Sequence, residues 1–475
     1  MKILTFAINN HDSSYCYCDT EKSNIIDYQS AERLYNFKNA TFSLGKIAHG
    51  KYKDLDLIVF VDNKNGLSTI GRELVKETKI NNLFKNKKIF QIDHHYAHAL
   101  SSYIYNDNLI AIDGGGNNGD FFVKNKENFK WEKQNIGKSF RISMKALNMH
   151  GSVGKIMGLA NYYEELDNSF YDKLLNSKDE DKVNLIEKYL QGVNVSCVNP
   201  TLKKIYTVHK FLIDKIVKNF NDNFNKGDSI SYGGGCALNI NTNSILDKDY
   251  KLSICPAADD SGLSIGCMNW ALNYFGEKIS NYKYKAKTDI FKTKTKIKDE
   301  DLKALAKKLA NNKIVIFCYD EDEIGPRALG HRSILMNPSI KGGKDYINGQ
   351  VKHREWWRPF GGSIIDTNVI KDYKPSNLDP YMLKSFELKK EYEEMFQSII
   401  HVDNSSRLQI VEKDESDPFY RLVYYFKELT GIPGLLNTSF NLNGYPIAST
   451  KYCVNTFKLM DNANIMYFNG EIYRK

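Results

Sequence analysis

The sequence predicts an α/β protein of two domains, the first built from two similar lobes. Three observations carry that reading. At 475 residues the chain exceeds what one ordinary hydrophobic core holds. The opening, KILTFAINNHDSSYCYCDTEKSNIIDYQ, has an echo in LIAIDGGGNNGDFFVKNKENFKWEKQ, which starts at residue 109. A polar stretch at about 279–298 has little apolar periodicity and separates this region from a further set of strand and helix patterns. The expected domains are residues 1–285 and 298–475.

Both echoing segments run apolar, polar, apolar, polar, apolar, the rhythm of three strands joined by turns. Two such lobes facing each other make the duplicated fold of actin, sugar kinases and Hsp70, whose paired turns close on a nucleotide or metal. Between them, LDLIVFVDN and KIFQID have the length of short buried strands, and HHYAHALSSYIY has helical spacing. A helical region is expected at roughly 180–225. SISYGGGCALNINTNSIL then reads as strand, glycine turn and helix, and KLSICPAADDSGLSIGCMNWALNYF as strand, loop and buried helix. Past the polar stretch, DLKALAKKLANN is an amphipathic helix and KIVIFCYD a buried strand. GGSIIDT, RLQIV and GIPGLLNTSFN continue a mixed α/β domain.

Hydrophobic content of 42% and aromatic content of 12% exclude wholesale disorder. The net charge of +9, from 66 basic and 57 acidic residues, suits nucleic acid or anionic small molecules. The joint abundance of Lys, Asn, Ile and Tyr is also what an AT-rich genome produces, so the charge alone selects no partner. Cysteines stand at 16, 18, 197, 236, 255, 267, 318 and 453 without a C-x-x-C pair, as expected of a reduced, cytoplasmic protein. The apolar run before Asn9 is too short for a signal peptide, and no later run reaches the length of a membrane span. A soluble chain with no membrane partner is expected.

The segment Gly325 to Ser363 packs Arg327, Arg332, Lys352, Arg354 and Arg358 among glycines, prolines and two tryptophans. Guanidinium groups bind phosphate or carboxylate through paired hydrogen bonds, so this composition suggests a fixed anion cradle. A surface basic patch would show the same count of cations. Trp356, Trp357, Pro359 and Phe360 argue instead for a walled site.

His94 and His98 stand four apart and share one face of a helix. Asp113 ends a strand before Gly114, Gly115 and Gly116, and Asp259 and Asp260 end another before Ser261. Two histidines with one or two carboxylates suit a divalent transition metal, with iron, manganese and zinc left open. The turns Gly114 to Gly116 and Gly233 to Gly235 would let backbone N–H groups approach a phosphate, though tight turns need glycine in any case. His11, in HDSS, has the position of a general base at a cleft or of an ordinary turn residue. Asn437 to Asn441 offer short polar side chains after an apolar strand.

Taken together, HDSS, AERLYNFK, HHYAHA, IDGGG, GKIMGLA, GGGCALN, PAADDSGLSIG, GPRALG-x-RSIL, VKHREWWRPF and LLNTSFNLNGYPI resemble, in order, the O-carbamoyltransferases of the NodU/CmcH type, relatives of tobramycin carbamoyltransferase. The resemblance implies a duplicated actin-like (TsaD-like) metal-binding domain followed by a YrdC-like α/β domain. It implies carbamoyl phosphate and ATP, the latter accompanied by Mg, as co-substrates for carbamoyl adenylate. It also implies transfer of the carbamoyl group to a hydroxyl of a sugar, nucleoside or other specialised metabolite. By the same resemblance His94, His98, Asp113 and Asp260 would hold the metal, iron foremost, with Asp260 preferred to Asp259. Arg327, Lys352, Arg358, Arg407, Asn437 and Ser439 would hold carbamoyl phosphate, ATP and the adenylate, with Arg332 and Arg354 beside them. His11 and Lys38 would contact the adenylate at the transfer site.

Two departures stand out. RPFGGS replaces the common RPFAPS, which would loosen that loop, and GHRSIL replaces GNRSIL, which would place the titratable His331 beside the phosphates. The alternatives are carbamoylation of a hydroxymethylated base in DNA, threonylcarbamoyl transfer to tRNA, and a non-catalytic nucleic-acid-binding module. The zinc-type C-x-x-C pairs of a hydrogenase-maturation carbamoyltransferase are missing. Acceptor and oligomeric state are left open.

Overall fold

The protein is described by a computed structural model covering residues 1–8, 12–42, 54–62, 70–80, 84, 87–102, 106–116, 118–149, 154–193, 195, 201–286, 297–374 and 378–475. The chain divides into two compact units. The first holds Met1–Tyr35 and Asn39–Lys285, the second Asn36–Lys38 and Ala286–Lys475. Both are mixed α/β.

The strands of the N-terminal region are β1 (Lys2–Ile8), β2 (Ser14–Asp19), β3 (Ile25–Ser30), β4 (Leu57–Asp62), β5 (Val75–Glu77), β6 (Lys88–Ile92), β7 (Asn108–Gly116), β8 (Gly119–Asn125), β9 (Asn128–Glu132), β10 (Ser229–Gly233), β11 (Lys251–Ile254) and β12 (Lys283–Ala286). They form one sheet of order β12-β3-β2-β1-β4-β6-β5 and another of order β11-β10-β7-β8-β9. The echo in the sequence has its counterpart here. β1, β2 and β3 form an antiparallel meander, and β4 then β6 add in parallel beside β1. β7, β8 and β9 repeat the meander, and β10 then β11 add in parallel beside β7. Every residue of LIVFVD in β4 is buried, as suits a parallel strand covered on both faces.

Helix α1 (Ala31–Tyr35) follows β3, and α2 (His94–Ala99) follows β6 directly. Asp93 caps α2, its side chain accepting from the backbone N–H groups of His95 and Tyr96. Helix α3 (Ile136–Ala146) follows β9, and the helical region expected at 180–225 contains Asp179–Leu190 and α4 (Thr201–Asn223). Helix α5 (Leu263–Tyr274) is apolar on nearly every side and sits in the core beside β1 and α2. The backbone of α2 comes so close to β10 that a Cβ on Gly233 would lie 2.0 Å from the His98 carbonyl oxygen.

The polar stretch at 279–298 is not wholly a connection: β12 pairs with β3 at the sheet edge. Its KYKA sequence escapes an apolar-pattern search because an edge strand need bury little. Residues 287–296 lie outside the described set.

The second unit is built on β13 (Val315–Cys318), β14 (Arg332–Met336), β15 (Gly361–Ile364), β16 (Ser385–Glu387), β17 (Ser405–Ile410), β18 (Gly434–Ser439), β19 (Ile465–Phe468) and β20 (Glu471–Arg474). Their order is β16-β17-β15-β18-β14-β13-β19-β20. Helices α6 (Asp299–Ala310) and α7 (Pro418–Thr430) pack together, and their buried faces belong to the same core as the sheet. In α6, Leu302, Leu305, Ala306 and Leu309 supply the buried stripe, with acids in the first turn and lysines in the last. In α7, Asp417 caps the N-terminus, Pro418 opens the first turn and Gly431 ends the helix in the left-handed region.

Candidate metal centre and anion pocket

In the first unit, α2, the end of β7 and the 3₁₀ turn Asp260–Gly262 bring four side chains together. One ligand atom from each of His94, His98, Asp113 and Asp260 lies within 4.8 Å of the others. His94 Nε2 stands 3.6 Å from Asp113 Oδ2 and 3.8 Å from Asp260 Oδ1, and His98 Nε2 stands 3.2 Å from Asp260 Oδ1. The Gly235 N–H donates to Asp113 Oδ1 at 2.8 Å, orienting the carboxylate from the second glycine turn. Burial opposes protonation of His94, but the nearby carboxylates of Asp113 and Asp260 outweigh it and raise its pKa. Burial likewise works against the ionised Asp113, yet the two imidazoles and the Gly235 N–H hold its carboxyl well below the usual range.

These residues fit a divalent metal. His94 Nε2 is fully buried and lacks a hydrogen-bond partner among the described residues, although two carboxylates face it beyond hydrogen-bond range. An ion bridging them would remove the cost of that orphan. Asp259 has a different job, taking the N–H and hydroxyl of Ser261 at 3.2 and 2.5 Å. Burial, with Asp12 nearby, pushes its carboxyl up to about 6. His11 lies outside the described residues. Lys38 follows α1 in the short segment that groups with the second unit.

In the second unit, guanidinium groups gather from β17 and from the loops flanking β14 and β15. Burial, then the charges of Arg327, Arg354 and Arg358, drive Arg407 well below the ordinary arginine pKa, with only Asp379 pulling the other way. Burial and Arg358 lower Arg354 to about 9. Arg407 Nε and Arg354 Nη2 are buried without a hydrogen-bond partner among the described residues. Arg354 Nε donates to Asn348 Oδ1 at 2.7 Å while its guanidinium lies over Phe360, 4.5 Å from the ring centre. Arg358 is half-paired, with Nη1 3.3 Å from Glu355 Oε2. Like charges this close, with idle donors, are what a polyanion would compensate. Of the two tryptophans, Trp357 is buried, while Trp356 is 48% exposed and walls nothing completely.

Three expectations change at this point. Arg332 is fully buried and already committed: its guanidinium donates to the carbonyls of Tyr319, His331 and Asp320 and pairs with Asp322 at 2.8 Å. Both terminal nitrogens are thereby committed, also through Thr450 Oγ1, and hold the β14 entry together; only Nε lacks a partner among the described residues. Lys352 is also spoken for, donating to the Ser439 carbonyl at 2.6 Å and to the Asn441 carbonyl and side-chain oxygens at 2.9 and 2.5 Å. Burial, then Arg354 and Arg358, push its pKa well down, so in this arrangement the amine ties the loop after β18. RPFGGS, finally, is no loosened loop. Gly361 and Gly362 lie in β15, paired with β17 and β18, and a Cβ on Gly362 would meet Ile399 Cδ1 at 2.4 Å.

Asn437 is fully buried in β18, donating to Ala328 O at 3.1 Å and Ser363 Oγ at 2.9 Å while its own Oδ1 stays unpartnered among the described residues. Ser439 Oγ donates to Asn441 Oδ1 at 2.8 Å. His331 stacks on Tyr319, ring centres 4.8 Å apart. Sequence reading missed Asn348, Ser363 and Gln409, which brace this pocket. The available signal was a polar residue at a buried phase of a strand, as with Gln409 in RLQIV.

Residues 306–475 match the protein family described as Carbamoyltransferase C-terminus. An uncharacterized protein of Methanocaldococcus jannaschii is 28% identical over 507 aligned positions, covering 94% of this chain and 96% of that protein. Nodulation protein U of Rhizobium tropici is 32% identical over 232 positions, 46% of this chain and 39% of that protein. Nodulation protein NolNO of Sinorhizobium fredii is 27% identical, covering 79% of this chain and 62% of that protein. Among solved structures, full-length HypF in the phosphate- and nucleotide-bound form overlaps with a TM-score of 0.33 at 12% identity, over 59% of this chain and 56% of HypF. The HypF overlap is too partial to say what this chain does. No described helix is long and apolar enough to cross a membrane.

Proposed function

We propose that the chain belongs with the NodU-type carbamoyltransferases, to which it is similar, and that it is an O-carbamoyltransferase that uses carbamoyl phosphate and ATP. On this reading the first unit is a duplicated actin-like, TsaD-like transfer domain, supported by the repeated strand order of its two sheets. The second is a YrdC-like domain that makes carbamoyl adenylate. The observation that carries the proposal is the crowding of Arg327, Arg354, Arg358 and Arg407, in which Arg354 Nη2 and Arg407 Nε are buried without an acceptor among the described residues. A site of that kind binds phosphate oxygens and stabilises the charge that builds as they react.

Water cleaves carbamoyl phosphate to carbamate and inorganic phosphate; a carbamate oxygen then attacks the α-phosphorus of ATP, a P–O bond forms, the α–β bridge bond breaks and pyrophosphate leaves. The acceptor hydroxyl then attacks the carbamoyl carbon, the bond to AMP breaks, and the hydroxyl proton passes to a base, for which His11 stands in the right motif. Keeping carbamate bound between steps excludes water and raises its effective concentration, an effect of about 7–11 kcal/mol in well-oriented reactions. A divalent metal held by His94, His98, Asp113 and Asp260 would supply Lewis acidity toward phosphate oxygens. The chain's own part is to hold those four side chains in register, which Asp93 and Gly235 do through backbone hydrogen bonds. Lys38 would meet the adenylate at the transfer site.

The test is product analysis. AMP and pyrophosphate are expected only when ATP and carbamoyl phosphate are both present, and ADP as the nucleotide product would refute the scheme. Mass spectra of candidate hydroxyl compounds incubated with both co-substrates would then reveal the carbamoylated acceptor.

A further inference from the structure

A cavity of about 830 Å³ opens on the first unit, lined by the Gly114–Gly116 turn, by Trp131 and Phe129 of β9, and by Arg72, Lys130, Lys133 and Lys138. Resting on the carbamoyl-transfer reading above, we propose that this cavity seats the hydroxyl acceptor, and that the acceptor is a nucleoside phosphate or a sugar linked to one. Four lines of argument meet here.

The first is place. The glycine floor follows the metal-site residue Asp113 without a break, and a Cβ on Gly116 would sit 2.3 Å from His95 Cε1 and 3.0 Å from His94 Cδ2. The Gly116 backbone, which lines the cavity, therefore packs directly against the histidine helix. The second is rigidity. Asp93, which caps that helix, also takes the Trp131 indole N–H at 3.1 Å and the Asn118 side-chain amide at 3.1 Å. The cavity wall and the metal-site helix are thus fixed through one carboxylate, as a positioned acceptor requires.

The third is charge. Arg72, Lys133 and Lys138 have no ion pair among the described residues, whereas Lys130 is paired with Glu132 at 2.7 Å. The lining carboxylate of Asp120 is occupied by the backbone N–H groups of Gln134 and Ile136, at 2.7 and 2.9 Å. The surplus is positive and suits a phosphate ester. The fourth is shape. Phe129 is 44% exposed and meets Trp131 edge-on at 5.2 Å, leaving aromatic surface for a flat base. The volume falls in the range of small-molecule sites.

The experiment is equilibrium binding to the full chain, without ATP or carbamoyl phosphate, by calorimetry and tryptophan fluorescence. The probes are uridine, uridine monophosphate, ribose 5-phosphate, ATP and a random DNA duplex. Uridine monophosphate should bind about tenfold more tightly than uridine or ribose 5-phosphate, and more weakly as salt rises. The double variant Lys133→Glu with Lys138→Glu should lose about tenfold in affinity, while Lys226→Glu, outside the cavity lining, should not. Equal binding of uridine and its phosphate, binding of ATP alone, binding of DNA alone, or an unaltered double variant would each overturn the assignment. A protein that binds uridine monophosphate as expected yet forms no AMP keeps the cavity assignment and loses the carbamoyl-adenylate reading.

Discussion

Replacing Arg407 with methionine should make the protein more stable and less active at once. The argument starts from the surroundings of its guanidinium. Burial and three neighbouring guanidiniums depress its pKa, and Asp379, the one opposing charge, is already engaged by the N–H groups of Tyr381, Leu383 and Lys384. Arg407 Nε is buried with no acceptor among the described residues. Methionine keeps much of the aliphatic stem and removes the charge. Exchanging buried charge for apolar volume is commonly neutral or stabilising by about 1–4 kcal/mol; because Arg407 is only partly buried, about 1–2 kcal/mol is the fair expectation. For a unit of this size that is a rise in Tm of about 2–8 °C. The assay is differential scanning calorimetry in a phosphate-free buffer, paired with AMP release in the presence of both co-substrates. Added pyrophosphate should stabilise the native protein, by about 2.7 kcal/mol at a hundredfold excess over Kd, and the variant far less. A variant that melts earlier, or that keeps native activity, would refute the idea that these cations are held apart for an anion.

Other outcomes follow from neighbouring features. Asp322→Ala should destabilise by about 3–5 kcal/mol, since it strands the fully buried Arg332 guanidinium; urea unfolding checks it. His98→Ala and Asp260→Asn should each lower bound metal in the purified protein, read by elemental analysis, with the secondary structure retained by circular dichroism. The buried imidazole of His209 is held down to about 4 by burial, so the folded state resists a proton that the unfolded chain accepts below pH about 6.5. Stability should therefore fall as pH drops from about 6.5 to 4, by at most roughly 3 kcal/mol, and His209→Gln should flatten that limb in urea titrations at each pH.

What the sequence can and cannot say divides along the reach of its patterns. His94 and His98 were legible because helical spacing fixes their common face, and Asp113 and Asp260 because each follows an apolar run and shortly precedes glycine; Asp113 lies within β7 at its register break, and Asp260 opens a 3₁₀ turn beyond β11. The repeated meander was legible because its rhythm is local. The arginine-rich segment was legible only in composition. Arg327, Arg332, Arg354 and Arg358 are alike as letters, yet Arg332 commits both terminal nitrogens to three carbonyls and Asp322, while the terminal Nη2 of Arg354 has no partner among the described residues. Which fate a guanidinium meets depends on carbonyl oxygens brought up by distant strands, and side-chain sequence does not encode where main-chain oxygens will point. The same holds for Lys352, whose acceptors sit on Ser439 and Asn441, far along the chain. A buried cation whose terminal nitrogens meet backbone carbonyls braces the fold, and one with an idle terminal nitrogen is the candidate to test with a ligand. That distinction turns a run of arginines into a working division between scaffold and site.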